Sequence, residues 1–189
     1  MRWQHLFADL SAQFDAEEAV AERGESASRA RAEAGALRLV DRLGGALGQP
    51  VVLGCRGAGR VSGVLVDTGE NWFLVEDERG VEHLVSAAAV TTVAGLGRRT
   101  AAPAETGPAR TRLDLRWALK GLARDRSAVQ LVLEDGVVLT GTIDRVGADY
   151  LEIAEHAADE PRRVEAVRGV RAVVLTAVAV ARTVPPGLL

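Results

Sequence analysis

The sequence predicts a mainly β protein with helices, of the α+β class. The expected architecture is two tandem small, bent, five-stranded antiparallel barrels, each preceded by a short helix, plus an N-terminal helical arm. Three observations lead there. Short apolar runs alternate with turn signals, most legibly in "VQLVLEDGVVLTGTIDRVGADYLEI", residues 129–153. A glycine, Gly141, stands inside the second of those runs, the usual mark of a bulge or sharp bend in a strand. The chain also repeats itself. "LRLVDRLGGALGQPVVLGCRGAGRVSGVLVDTGENWFLV" from Leu37 aligns without a gap on "LRWALKGLARDRSAVQLVLEDGVVLTGTIDRVGADYLEI" from Leu115, a shift of 115 − 37 = 78 residues. Val51 meets Val129, Leu53 meets Leu131, Gly63 meets Gly141, Gly69 meets Gly147 and Trp72 meets Tyr150. Past an insertion, "RGVEHLVSAAAV" from Arg79 resembles "RGVRAVVLTAVAV" from Arg168. Coincident turn glycines and apolar positions indicate an internal duplication.

Residues 1–36 lie outside the repeat and form the expected arm. Trp3, Leu6, Phe7, Leu10 and Phe14 recur at i, i+3, i+4, i+7 and i+11, one stripe on a helix. That stripe either packs on the protein's own barrels or docks on a partner or second copy. The first barrel is expected over residues 37–97. Its leading helix carries Leu37, Val40, Leu43 and Leu47 and stops at Gly48-Gln49-Pro50, because proline cannot donate to the helix ladder. Pleat parity then points Phe73 and Val75 inward and Trp72 and Leu74 outward. Residues 98–110, with two prolines and no periodicity, read as a linker.

The second barrel is expected over residues 111–184. Leu115, Ala118, Leu119 and Leu122 recur at helical spacing behind Asp114, a residue able to accept N–H bonds at a helix start. Val129, Leu131 and Leu133 share one strand face, Asp135-Gly136 supplies the tight turn, and Leu151 and Ile153 point inward from a third strand. Tyr150 then falls on the outer face or rim. Arg79-Gly80 and Arg168-Gly169 are expected in matching turns before the short final strands. Residues 185–189 form a loose tail.

The alternating hydrophobics, Asp135-Gly136 and Gly141 resemble the first motif of the Sm-like and SH3-like small barrels, over about 60 residues of each repeat. Arg168-Gly169 resembles the Arg-Gly pair of the second Sm motif. That resemblance implies strand-edge association or RNA binding. RNA-binding Sm proteins place an Asp and an Asn in the loop that grips uracil; Gly147 stands at the position expected for the Asp, and Gly69 and Asn71 lie in the matching loop of the first repeat. The whole layout also resembles actinobacterial proteins labelled Fis-family regulators. No pair of helices here reads as the helix-turn-helix that label implies.

Composition narrows the function classes. The 189-residue chain has a formal charge of −3, so nothing draws it as a whole to nucleic acid or an anionic membrane. Cys55 is its only cysteine, which excludes an intrachain disulfide, and its match to Leu133 predicts a buried core thiol. No apolar run is long enough for a membrane span, and no secretion signal is visible, so a cytoplasmic location is the default expectation. No triad, nucleophile motif, metal spacing or cofactor loop stands out; "GCRGAGRVSG", residues 54–63, reads as a turn. No cofactor is expected.

Arginine is the remaining hint. Arg162, Arg163, Arg168 and Arg171, with Tyr150 as a stacking ring, are the candidate nucleic-acid contacts, interleaved with Glu160 and Glu165. The expected function is a non-enzymatic binding or regulatory protein that uses its barrels and arm for protein contacts or self-association. The alternative is an RNA- or DNA-binding regulator of Sm-like type, with weak, sequence-tolerant binding; an enzyme ranks third, because no acid–base or nucleophile pair is visible.

Overall fold

Strand formation follows the expected turns, but the strands join differently from the expected pair of barrels. The structure is a computed structural model that describes residues 34–97, 113–158 and 165–183, together with Ser28, Ala32 and Arg163. Met1–Arg38 and Leu39–Leu189 cluster as two units. The arm stripe, the 98–110 linker, the 185–189 tail and Arg162 lie outside the described residues. In the first unit, residues 34–36 are helical.

In the second unit the elements are α1 (Leu39–Gly44), β1 (Pro50–Cys55), β2 (Gly59–Thr68), β3 (Trp72–Glu76), β4 (Glu82–Ser86), β5 (Val90–Ala94), α2 (Leu115–Asp125), β6 (Ala128–Leu133), β7 (Val138–Val146), β8 (Tyr150–Glu155), β9 (Gly169–Val174) and β10 (Val178–Thr183). Single 3₁₀ turns, Ala87–Ala89 and Leu175–Ala177, link β4 to β5 and β9 to β10. All pairings are antiparallel, and the strands form one ten-stranded sheet in the order β5-β1-β2-β3-β4-β10-β6-β7-β8-β9.

This corrects the expectation of two separate five-stranded barrels. The sheet is not closed: β5 pairs with β1 alone and β9 with β8 alone. The β4 strand hydrogen-bonds across to β10, with Val85 opposite Val180, Leu84 opposite Ala181 and His83 opposite Arg182. The physical reason lies in strands that are apolar on both faces. Val178, Ala179, Val180 and Ala181 are all buried, a pattern that requires cover on both sides of the sheet. One core, around Leu53, Leu65, Phe73 and Val75, takes Val132, Ala179 and Val180 from the second half. The other, around Leu119, Leu131, Ile143 and Ile153, takes Trp72 and Leu84 from the first. Trp72, expected on the outer face, is therefore a core residue, 5% exposed, and its indole N–H donates to Leu113 O at 2.8 Å.

The repeat is visible in the register. Gly63 opposes Val51 as Gly141 opposes Val129; Leu65 opposes Val75 as Ile143 opposes Ile153. Both ladders shift at the same place, between Leu65 and Asp67 and between Ile143 and Arg145. The last two strands repeat at 88 residues, with Val173 opposite Leu151 as Val85 is opposite Phe73. The turn expected at Arg168-Gly169 is absent. Gly169 opens β9 opposite Glu155, and the Arg168 amide donates to Glu155 O at 2.8 Å. Gly80 does sit in a turn, at φ +74°, and the Asp77 carboxylate accepts from the Arg79 and Val81 amides at 2.9 Å.

Local chemistry accounts for the helices. The Asp114 side chain caps α2 by accepting from Trp117 N at 2.7 Å, and Asn71 of the first half accepts from Leu115 N at 2.7 Å. The end of α1 is followed by Gly48 at φ +74°, a conformation that costs glycine little.

One of the buried positions at which the two halves differ predicts a mutant. The Thr68 hydroxyl is buried without a hydrogen-bond partner among the described residues, and Val146 occupies the equivalent place. Threonine and valine have nearly the same shape, and an unsatisfied buried polar group costs about 1–3 kcal/mol. Thr68→Val is expected to raise the urea midpoint by a gain at the low end of that range; a lower midpoint would show that the hydroxyl has a partner.

Candidate functional site

Three surfaces of the sheet carry chemistry: the inner junction, a groove beside it and the two outer edges. The junction forms because β4 and β10 each offer apolar side chains at their paired positions. Around it, Arg182 Nε donates to Gln130 Oε1 at 2.7 Å, and the β1–β2 turn reaches the β6–β7 turn. There the Arg56 guanidinium pairs with Glu134 at 2.8 Å and also donates to Ala88 O. Gly57, at φ +68°, lies so close to the Leu133 carbonyl that any side chain would overlap it.

The groove lies between Trp72, Leu74 and Leu84 and the α2 residues Trp117, Ala118 and Leu122. It encloses about 220 Å³, below the roughly 300–1,000 Å³ of typical small-molecule sites. Trp117 is 54% exposed at its lip. Trp117 falls off the apolar stripe of α2, so periodicity in the sequence does not mark it; its exposure in the fold does.

The outer edges are β5 and β9. In β9 the residues Gly169 to Ala172 and Val174 are exposed and only Val173 is buried; Val170 is 61% and Val174 55% exposed. In β5, Thr91, Thr92 and Ala94 are exposed, and Thr91 Oγ1 donates to Gly54 O at 3.0 Å. An edge strand presents N–H and C=O groups to any chain that aligns with it. Val170 and Val174 were not marked by the sequence reading, because an apolar strand residue looks like core until its neighbour on the far side is known.

The arginine and tyrosine candidates are spread out. Tyr150 begins β8, half-buried, with its ring over Gly147, where a Cβ would overlap it. Arg168 sits at the opposite end of the β8–β9 ladder, beside Glu155. Arg171 is exposed, opposite Ile153, and its guanidinium pairs with Glu155 at 2.8 Å. Arg163 is exposed in the preceding connection. Across the β7–β8 ladder Arg145 pairs with Glu152 at 3.3 Å. By pleat parity Arg145 and Glu152 share the face of Tyr150, while Arg171 and Glu155 lie on the face of Ile153, so the ring and the candidate arginines do not form one surface. Asn71, for which the Sm resemblance implied a place in the base-gripping loop, is engaged with the α2 N-terminus.

The two histidines among the described residues, His83 and His156, are engaged within the fold. His156, just past β8, is 3% exposed. Ala157 O lies 2.8 Å from its Nδ1 and can only accept, so Nδ1 donates; Nε2 then accepts from the Thr142 hydroxyl at 2.8 Å. His83 Nε2 lies 3.1 Å from the Asp77 carboxylate, which burial pushes up but the His83 contact and the Val81 and Arg79 amides bring below its ordinary pKa. Among the described residues no three His, Cys, Asp or Glu side chains could hold a metal ion, and no helix is long and apolar enough to cross a membrane.

Cys55 is buried, and that burial pushes its thiol up to about 11. Only the thiolate attacks disulfide reagents. In the native protein at neutral pH, Cys55 is expected to react with a disulfide reagent far more slowly than in denaturant. Equal rates would mean that the β1 end opens readily.

Comparison with protein-family models, with curated proteins and with solved structures gives no match.

Proposed function

We propose that this chain is a non-enzymatic binding or regulatory protein that makes protein contacts through its sheet edges and its N-terminal arm. The observation that carries the reading is β9, an edge strand whose outer positions hold exposed Val170, Ala172 and Val174. Strand addition to such an edge supplies main-chain hydrogen bonds, and alternate side chains supply specificity. The spacing of Trp3, Leu6, Phe7, Leu10 and Phe14, which lie outside the described residues, suits a second contact of the groove-docking kind.

Nucleic-acid binding is the weaker reading. The carboxylates of Glu155 and Glu152 sit against Arg171 and Arg145, and phosphate contacts would have to displace them. A pull-down from native lysate, with and without nuclease, tests the choice: protein captured regardless of nuclease is expected. Tight binding of one oligonucleotide sequence at physiological salt, lost on Arg168→Ala or Tyr150→Ala, would reverse it. Binding that fades steeply with salt would report only phosphate attraction.

A further inference from the structure

We propose that a second copy of this chain lays its β9 against β5 in the register that β10 and β4 use within one chain. The proposal rests on the protein-binding reading above and names its partner. The chain already contains one such contact, between the fourth strand of one repeat and the fifth strand of the other. Its two outer edges are the remaining fifth strand, β5, and the remaining fourth strand, β9. Each edge is therefore the structural equivalent of a strand that has its mate in the middle of the sheet.

Burial follows the same logic. Leu84, Val85 and Ser86 of β4 are buried under β10, while of their equivalents Ala172, Val173 and Val174 only Val173 is buried. Val178 to Ala181 of β10 are all buried, while Thr91 and Thr92 of β5 are exposed. Apart from Arg171 the side chains on both outer edges are small or β-branched, and neither β5 nor β9 contains proline or lysine, two common guards of edge strands. Arg171 is the single charge on the two edges, and the inner junction already holds a basic residue, Arg182.

The inner register carries over by the 88-residue repeat. Val85 opposite Val180 becomes Val173 opposite Thr92 (85 + 88 and 180 − 88), Leu84 opposite Ala181 becomes Ala172 opposite Val93, and His83 opposite Arg182 becomes Arg171 opposite Ala94. The contact is head-to-tail, so each copy keeps one edge of each kind, and repetition closes into a ring or extends.

Sedimentation and native mass measurement of the full chain over a dilution series test this. Assemblies of whole-number multiples of the chain are expected, falling apart on dilution. Ala94 is exposed, so Ala94→Arg and Ala94→Glu should leave the fold intact; Arg171→Glu also removes the surface pair with Glu155, so circular dichroism and the urea midpoint of the double variant are compared with those of Ala94→Arg. Ala94→Arg places like charges opposite each other and should weaken assembly about fivefold, Ala94→Glu should tighten it, and Arg171→Glu combined with Ala94→Arg should restore it. A chain that stays monomeric at every concentration overturns the proposal, as does an assembly indifferent to all three variants. A monomeric chain that still captures another protein overturns self-pairing and leaves the protein-binding reading standing. Nuclease-sensitive capture by a chain whose assemblies respond to Ala94→Arg does the reverse.

Discussion

Gly141→Val is expected to destabilise the protein by about 3 kcal/mol or more, the upper end of what overpacking costs. Valine is a good strand residue, so propensity alone argues for tolerance. The obstacle is the approach of two backbones. A Cβ at Gly141 would overlap the Ala154 carbonyl oxygen across the β7–β8 ladder, and a Cβ at Gly63 would meet Glu76 O in the same way. Neither glycine has a positive φ, so close approach, not a glycine-only conformation, is what the position requires. The carbonyl cannot move without opening the ladder where the register shifts between Ile143 and Arg145. A urea titration reads the loss as a lower midpoint; an unchanged midpoint would mean that the strands lie farther apart here.

That glycine shows what was legible in the sequence. Turn chemistry and pleat alternation are local, so the turn at Asp135-Gly136, the Asp114 cap and the inward Phe73, Val75, Leu151 and Ile153 lie as expected, while the irregularity expected at Gly141 falls between Ile143 and Arg145. Strand partnership is not local. Val85 and Val180 meet across 95 residues (180 − 85), and nothing in either run names the other. A trace was present in "VAVA", Val178 to Ala181, a run without polar alternation. Reading each strand as one-faced led to two closed barrels and put Trp72 outside. A strand apolar on both faces belongs in the middle of a larger sheet. The site suffered likewise: Val170 and Val174 mark an edge only once the strand order is known.

Trp72→Ala should be the most damaging of the aromatic truncations among the described residues, costing about 3–5 kcal/mol, as expected for a large ring removed from a core. Trp72 leaves the first half to pack with Leu119, Leu131 and Leu139 of the second. Its loss also strips Leu113 O of the indole donor, just before α2. Tyr150→Ala, at the equivalent position, should cost clearly less, because that ring is half-buried over Gly147 and has no second core behind it. Since each core is completed by the other half, Leu39–Leu189 should unfold in one transition, and Trp72→Ala should shift that transition whole. Trp72→Phe retains most of the apolar contact and isolates the hydrogen bond, for which a loss of about 1–3 kcal/mol is expected. Denaturation followed by both far-ultraviolet circular dichroism and tryptophan fluorescence checks the point. Two separate transitions in the wild type, or equal costs for Trp72→Ala and Tyr150→Ala, would show that the halves fold as independent bodies and that the β4–β10 ladder is a contact between them, not a seam through one core.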